Sequence, residues 1–276
     1  MQEPAPILTV DLFPPVQEAL LDLLSHLSPA EWEFPTISAG WSVKDIALHL
    51  LGDDIAALSS RRDAFSPLQQ PGPTWPDLVS WLNDSNEAWV RAVRRISPRL
   101  LCDLLKFTGD QVCSYFQTLD PFALGGPVSW AGPGPAPVWL DIAREFTERW
   151  HHQQHIRDAV GKPGLLEPVY LAPVLGTFVR ALPHTFRNVS APESTCVTLT
   201  IVGDSGSVWS IVRENQHWHL YSGKPPRPQA EVSLPENIAW RLFTKGISKE
   251  MANKLASLQG DPILGAYVFE MVSIIA

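Results

Sequence analysis

Apolar residues recur every three or four positions through the first 160 residues, which is the spacing of amphipathic helices. Helix-breaking residues flank these stretches: Pro14 and Pro15 precede the first, and Gly161-Lys-Pro-Gly follows the last. A proline- and glycine-rich stretch over 120–137 interrupts the pattern and predicts a long ordered loop. The apolar spacing predicts helices over about 16–27, 42–58, 74–96, 100–119 and 138–160.

Two of the predicted helix starts carry side chains that can cap them. Ser42 and Asp45 have the S-x-x-D spacing of a capping box, and Thr74 and Asp77 repeat that spacing. In this motif the hydroxyl accepts a hydrogen bond from the backbone N–H three residues later. We therefore expect the second and third helices to begin at these two sites.

The pattern changes after residue 190, where apolar and polar residues alternate with period two between turn residues such as Gly203-Asp-Ser-Gly206. Strands that cluster before helices are typical of an α+β unit. We predict an α+β protein with a four-helix bundle over 1–165, a connecting helix within 166–190 and a small α+β domain over 191–276. The predicted strands are 196–202, 207–212, 217–221 and 230–234, followed by helices over 236–244, 249–258 and 263–275.

Composition and charge narrow the class of protein. The net charge of −8 argues against a nucleic acid or an anionic membrane as the principal partner. No apolar run reaches the length of a membrane span, and the N-terminus lacks the basic region of a signal peptide. Cys102, Cys113 and Cys196 form no C-x-x-C pair, which is typical of reduced thiols. We therefore expect a cytoplasmic protein that binds small molecules.

The stretch 148–155 places three of the chain's eight histidines beside a carboxylate. Divalent metals take imidazole and carboxylate as nitrogen and oxygen ligands. Side chains four residues apart lie one turn apart on a helix, so Glu148 can pair with His152, and His151 with His155. The apolar residues of this helix lie on the His152 side, which favours Glu148 and His152 for a site in the bundle core. The pair His151 and His155 stays open as the alternative.

A further ligand must come from another helix. His49 lies on the apolar face of the second predicted helix, and Asp53, one turn later, is placed to orient its ring or to bind the metal itself. His155 is placed to orient a ligand in the same way. Each histidine alone is explained equally well as a hydrogen-bonded core residue. Together, two buried imidazoles and a carboxylate call for a compensating cation, for which zinc is favoured and nickel or iron are alternatives.

This arrangement resembles a known family. The motif Gly40-Trp-Ser-Val-Lys-Asp-Ile-Ala-Leu-His49, followed on a later helix by Glu148-x-x-x-His152, is similar to the DinB-like superfamily. It is most similar to the mycothiol-dependent maleylpyruvate isomerase branch of that superfamily. The resemblance implies a metal-binding four-helix domain with His49, Glu148 and His152 as ligands. Other DinB-like proteins use an H-x-x-x-H pair, which here is His151 and His155.

The resemblance also implies a chemistry. A low-molecular-weight thiol, mycothiol in the family, would bind the metal as a thiolate and add to an activated cis double bond of a small carboxylate substrate. Rotation and elimination would then give the trans isomer, and displacement of a leaving group would give S-transfer instead. The family commonly has Asp three residues after the second metal His, where this chain has His155. The catalytic residues are therefore left unassigned, and a homodimer stays open as the assembly.

A carboxylate substrate needs a positively charged partner, and four arginines are candidates that the sequence does not rank. Each of them is explained equally well as a solvated residue on a helix face. The candidates are Arg144, Arg149, Arg157 and Arg241.

The C-terminal half is similar to the small domain of this branch, which is related to sterol-carrier-like folds. That similarity supports an alternative function, a non-catalytic metal-binding protein that binds an apolar ligand or a partner through its C-terminal domain. The same apolar residues fit an ordinary core equally well. The residues that would line an apolar tunnel are Trp240, Phe243, Phe269 and Met271. Hydrolysis by metal-activated water also fits the ligand set, with Asp53 or His155 as the base.

Overall fold

Long helices form close to where the apolar spacing predicts them in the computed structural model, which describes residues 1–66 and 74–274. The first begins at Phe13, so Pro14 and Pro15 lie in its first turn, where proline is tolerated, and not before it. Both predicted caps are present. Ser42 and Asp45 form a complete capping box, and the Thr74 hydroxyl accepts from the Asp77 N–H. No helix within the described ranges is long and apolar enough to cross a membrane. The long helices are α1 (Phe13–Ser25), α2 (Val43–Ala56), α3 (Trp75–Val93), α4 (Pro98–Gln117) and α5 (Val138–Ala159).

The chain divides into two compact units. The helical unit comprises Thr9–Asp120 and Glu145–Leu165, and the sheet unit comprises Met1–Leu8, Pro121–Arg144 and the described residues from Leu166 onward. The first seven residues of α5 are therefore counted with the sheet unit and the rest with the helical unit. The domain boundaries at residues 165 and 191 stay a prediction.

The core of the helical unit is built by side chains from α1, α2, α4 and α5. Burying each large aliphatic side chain stabilises the bundle by roughly 2 kcal/mol relative to exposure. Helix α3 packs on α2 through Trp89, whose Nε1 donates to the Leu48 carbonyl at 2.8 Å. Members of the core cluster that are at most 1% exposed include Leu24, Ile46, Leu105 and Ile156.

Helix α2 does not end where the apolar pattern predicts. Its backbone continues as a π-helical segment over Ala57–Arg62, four residues past the expected end. A π-turn is rare and holds an extra residue per turn, so it rotates the side chains that follow. In this segment Arg61 forms an ion pair with Glu145 of α5, with Nη2 and Oε1 2.8 Å apart.

The sheet unit has five strands in the order β3-β2-β1-β4-β5. The central strand β1 pairs antiparallel with β2 and parallel with β4. Its alternate residues Val197, Leu199 and Ile201 are at most 2% exposed, as the period-two pattern predicts. The α+β class is therefore confirmed. The strands are β1 (Cys196–Val202), β2 (Val208–Glu214), β3 (His217–Ser222), β4 (Ala230–Pro235) and β5 (Ser257–Gly260). The helices of this unit are α6 (Pro168–Phe178), α7 (Leu182–Thr185), α8 (Glu236–Phe243), α9 (Lys249–Leu255) and α10 (Pro262–Ala266).

Two C-terminal helices were predicted too long. Helix α9 ends at Leu255, and β5, which begins at Ser257, occupies the last two residues of the predicted helix. Pairing with β4 satisfies the backbone of this segment and sets Leu258 opposite Val232, which outweighs local helix propensity. Helix α10 ends at Ala266, before the predicted end at residue 275, which lies outside the described residues. Ser273 instead donates its backbone N–H to the Phe243 carbonyl, 2.9 Å away.

The residues proposed to line an apolar tunnel are buried in the sheet unit. Phe243 and Met271 are fully buried, and Trp240 and Phe269 are 2% and 6% exposed. The Phe243 ring also contacts the Phe178 ring edge to face, with centroids 6.4 Å apart. These contacts are those of core residues.

The turn between β1 and β2 requires glycine at position 206. A Cβ added to Gly206 would lie 2.0 Å from the Ile201 carbonyl oxygen, which is fixed by its strand. We expect Gly206→Ala to lower the free energy of unfolding by about 2 kcal/mol or more, because backbone must move to relieve this overlap. Urea denaturation measures the change. Gly126→Ala is the matched control, since an added Cβ there meets nothing within 4 Å. Equal effects of the two substitutions would contradict the argument.

Candidate metal centre

Two histidines predicted as ligands face each other in the helical unit. His49 on α2 and His152 on α5 place their Nε2 atoms 3.1 Å apart, with ring centroids 4.6 Å apart. The His49 side chain is 9% exposed and that of His152 is 14% exposed. The Trp41 ring lies 5.1 Å from that of His49 and covers one side of it. The two imidazoles therefore meet in a largely dry site.

Two carboxylates adjoin this histidine pair, each one helical turn from its imidazole. Asp53 Oδ2 lies 3.4 Å from His49 Nε2, and Glu148 Oε2 lies 3.6 Å from His152 Nε2. The side chains of Asp53 and Glu148 are 32% and 21% exposed, so the carboxylates form the more open side of the site. The ligand atoms of His49, Asp53 and His152 all lie within 4.8 Å of one another.

These separations fit a divalent metal. Ligand bonds of about 2.0 Å in tetrahedral geometry place neighbouring ligand atoms about 3.3 Å apart. The three separations between neighbouring nitrogen and oxygen atoms of this site, 3.1, 3.4 and 3.6 Å, lie close to that value. Two imidazole nitrogens and carboxylate oxygens also form the donor set of a catalytic zinc site. The residues present therefore suit the cation that the sequence pattern calls for.

His151 and His155 form a second histidine pair beside the first. Their ring centroids lie 4.2 Å apart, and His155 Nδ1 lies 3.4 Å from the Ser38 hydroxyl. The ligand atoms of Glu148, His151 and His152 form another group within 4.8 Å. His151 is 2% exposed and lies close to the proposed ligands, so the alternative pair of His151 and His155 stays a prediction.

Burial keeps the central imidazoles neutral. It lowers the pKa of His49 from 6.5 to about 4. The pKa of His152 lies well below its ordinary value, mainly through burial, with further lowering from the neighbouring histidines. A neutral imidazole has a lone pair available for a metal, whereas an imidazolium has none. Both side chains are therefore ready to act as ligands near pH 7.

Comparison with known proteins identifies the family. A family model described as the mycothiol maleylpyruvate isomerase N-terminal domain matches residues 13–157, more than half of the 276 residues. The chain belongs to this family. No curated protein matches the chain in a sequence search.

Two solved structures resemble the fold of this family member. They are the mycothiol-dependent maleylpyruvate isomerase and a variant of it with one histidine replaced by alanine. Each covers 84% of this chain and 86% of its own chain, with 13% identity and a TM-score of 0.53. At this identity the likeness shows a shared fold, and it agrees with the α+β class described above.

A buried ion pair next to the site was missed by the sequence analysis. Arg149 donates through Nη2 to Asp54 Oδ1, and the Thr108 hydroxyl donates to Asp54 Oδ2 at 2.6 Å. Asp54 is fully buried and Arg149 is 8% exposed. Burial opposes the charge on Arg149, but Asp54 and Glu145 outweigh it and hold the pKa of Arg149 above its ordinary value. In this family member, the pair ties α2 to α5 one residue beyond Asp53 and Glu148.

The arginine candidates differ in their surroundings. Reading Arg149 as a solvated helix-face residue is wrong, because Asp54 neutralises it in the core. Arg157 donates to the Gln153 side chain and to the carbonyls of Pro163 and Ala19. In the sheet unit, Arg144 pairs with Asp141 at 3.1 Å, and the Arg241 guanidinium lies 4.1 Å from the Trp240 ring.

The low pKa of His49 predicts a loss of stability in acid when metal is absent. His49 has a pKa of about 4 in the folded chain and an ordinary pKa of 6.5 in the unfolded chain. At pH 5 the unfolded chain therefore binds a proton at His49, whereas the folded chain does not. Stability therefore falls as the pH drops below 6.5 and levels off below 4. Between pH 7 and 5 we expect His49 to contribute a loss of about 2 kcal/mol.

Urea denaturation of the chelator-treated protein across this pH range measures the loss. His49→Gln is the matched control, because glutamine does not titrate. The decline between pH 7 and 5 should be shallower in the variant than in the wild type. Parallel pH profiles of the two proteins would contradict the buried, neutral state of His49.

Proposed function

We propose that this family member is a thiol-dependent isomerase that holds a divalent metal, with zinc favoured, through His49, Glu148 and His152. Its substrate would be a small activated carboxylate, and a low-molecular-weight thiol would be the cosubstrate. The observation that carries the proposal is the 3.1 Å approach of His49 Nε2 and His152 Nε2, flanked by two carboxylates. The family model, named for mycothiol maleylpyruvate isomerase, supports the choice of reaction and makes mycothiol the first thiol to test.

The division of ligands rests on charge and position. His49 and His152 supply neutral nitrogens from two different helices, and their 3.1 Å approach supports a site between α2 and α5. Glu148 contributes a negative oxygen next to His152, as the family motif implies. Three protein ligands on a divalent ion leave room for a further ligand, as in catalytic sites.

A divalent ion at this position would lower the pKa of a coordinated thiol and keep it as the thiolate at neutral pH. In this proposal Asp53 would accept the released proton, which its Oδ2, 3.4 Å from His49 Nε2, and its 32% exposed side chain support. Trp41 restricts water on the His49 side, while its own Nε1 donates to Glu87 at 2.8 Å. In the proposed reaction, Asp53 would thus hold the proton and Trp41 would limit the access of water.

An isomerase assay tests this function. Zinc-loaded protein is mixed with maleylpyruvate and with mycothiol, glutathione or cysteine, and formation of the trans isomer is followed by NMR. We expect turnover that requires both the thiol and the metal and that is lost in His152→Ala. Turnover of equal rate without a thiol, or no turnover with any of these thiols, would contradict the proposal.

Cobalt-substituted protein separates thiol binding from catalysis. A thiolate bound to cobalt gives a new sulfur-to-metal absorption band, which we expect with mycothiol. A spectrum that no cellular thiol changes would favour metal-dependent hydrolysis instead.

A further inference from the structure

A cavity within the sheet unit contains none of the residues assigned to the proposed isomerase reaction. Its volume is about 470 Å³, within the usual range for small-molecule pockets. One wall is apolar and is formed by Trp139 and Leu140 at the start of α5, together with Pro183 of α7. Arg180 supplies the positive charge, from the turn between α6 and α7. The cavity thus combines an apolar wall with one cation.

Arg180 is half-buried and has no carboxylate partner among the described residues. Its guanidinium carbon lies 5.0 Å from the Trp139 ring centre, which orients the guanidinium by a cation–π contact. Its Nη atoms donate to the carbonyls of Pro4 and Ala5, at 3.4 and 2.5 Å. Its Nε is buried and has no hydrogen-bond partner in the described chain. Arg180 therefore contacts only neutral acceptors.

Burying the guanidinium charge of Arg180 without a paired carboxylate is unfavourable in free energy. Burial lowers its pKa to about 10, with no opposing contribution from a nearby acid. The buried Arg149 of the helical unit shows the usual solution, since Asp54 neutralises it. A charged group taken out of water is stabilised by a paired opposite charge, and a guanidinium binds a carboxylate in two-pronged geometry. An anionic ligand would give Arg180 that pair.

We propose that this cavity binds a small monocarboxylate with an apolar body, its carboxylate on Arg180 and its body on Trp139, Leu140 and Pro183. Glu3 also lines the cavity, so the wall carries one positive and one negative charge. Arg180 attracts one carboxylate, whereas Glu3 would repel a second one, so a monocarboxylate is favoured over a polyanion. Tyr221 on β3 donates its hydroxyl to Glu214 at 2.8 Å, so the side chains of Arg180 and His219 are the donors left to face the anion, and only Arg180 carries a fixed positive charge.

Binding of benzoate, with neutral benzamide as the matched probe, tests the proposal on the full-length protein. Isothermal titration and saturation-transfer NMR should detect saturable binding of benzoate at millimolar concentration or below, and no comparable binding of benzamide. Arg180→Gln should weaken benzoate binding at least about tenfold, because it removes the charged partner. Arg187→Gln, a change at an exposed arginine on the same segment, should leave binding unchanged.

A second variant covers the case in which Arg180→Gln perturbs folding through its contacts with Pro4 and Ala5. Ala131→Phe fills the cavity without altering Arg180 and should also abolish benzoate binding while the circular dichroism spectrum is kept. Three results would overturn the proposal: no saturable binding to the wild type, equal binding of benzamide, or undiminished binding to either variant. The first would leave Arg180 as a structural clamp on the N-terminal segment. These readouts measure binding in the sheet unit, so they do not depend on the isomerase proposal.

Discussion

Replacing His152 by alanine is expected to reduce zinc affinity by at least about 100-fold, since loss of a partner outside the ligand set already costs 10–100-fold. His152 is the residue shared by both groups of ligand atoms, one with His49 and Asp53 and the other with Glu148 and His151. Its removal therefore breaks either grouping. Competition of the purified protein with a fluorescent zinc chelator measures the affinity.

His151→Ala is the matched control for this prediction, because it removes a buried histidine from the adjacent position on α5. We expect its zinc affinity to fall by at most about 10–100-fold, the range for a partner outside the ligand set, and by less than in His152→Ala. His26→Ala, at an exposed histidine, should change nothing. A larger loss in His151→Ala than in His152→Ala would assign the ligands to the His151 and His155 pair instead.

Breaking the Asp54–Arg149 pair is expected to cost about 3–5 kcal/mol of stability, because an uncompensated charge then stays in the core. Asp54→Asn keeps the shape of the side chain and removes only its charge. The hydrogen bond from Thr108 to the same carboxylate adds to the loss. Urea denaturation of the wild type and the variant gives the difference in free energy of unfolding.

A double substitution shows whether the unpaired charge causes that loss. Asp54→Asn with Arg149→Met removes both charges and should recover part of the stability lost in Asp54→Asn alone. Glu270→Ala is the control for exposed pairs, because it breaks the 2.7 Å contact with Lys249 at the surface, and it should have no measurable effect. The explanation would be contradicted if Arg149→Met lowered the free energy of unfolding by the same amount in the Asp54→Asn background as in the wild type.

The sequence predicts the fold where local patterns and packing agree. The capping residues at 42–45 and the alternating residues of β1 both lie where their patterns place them. The prediction fails where tertiary contacts determine the backbone. Strand β5 forms because β4 offers it an edge, and the π-helical segment after Ala56 has no signature in the apolar spacing.

The sequence predicts which helix faces carry the residues of the candidate site, but not the distances between those residues. The apolar positions around His49 and the four-residue spacing of Glu148 and His152 bring these side chains to facing helices. The spacing alone could not distinguish Asp53 from Glu148 as the oxygen donor, since that depends on distances between helices. The Asp54–Arg149 pair could have been predicted from one feature of the sequence. An acidic residue of one helix and a basic residue of another both occupy positions that are buried in the bundle.

Anomalous diffraction from crystals of the zinc-loaded protein, recorded on both sides of the zinc absorption edge, tests the metal assignment most directly. We expect one strong anomalous peak about 2 Å from His49 Nε2 and His152 Nε2 and from a Glu148 oxygen, at the usual zinc–ligand distances. A peak bound to His151 and His155, or none near any of these histidines, would contradict the proposed metal centre.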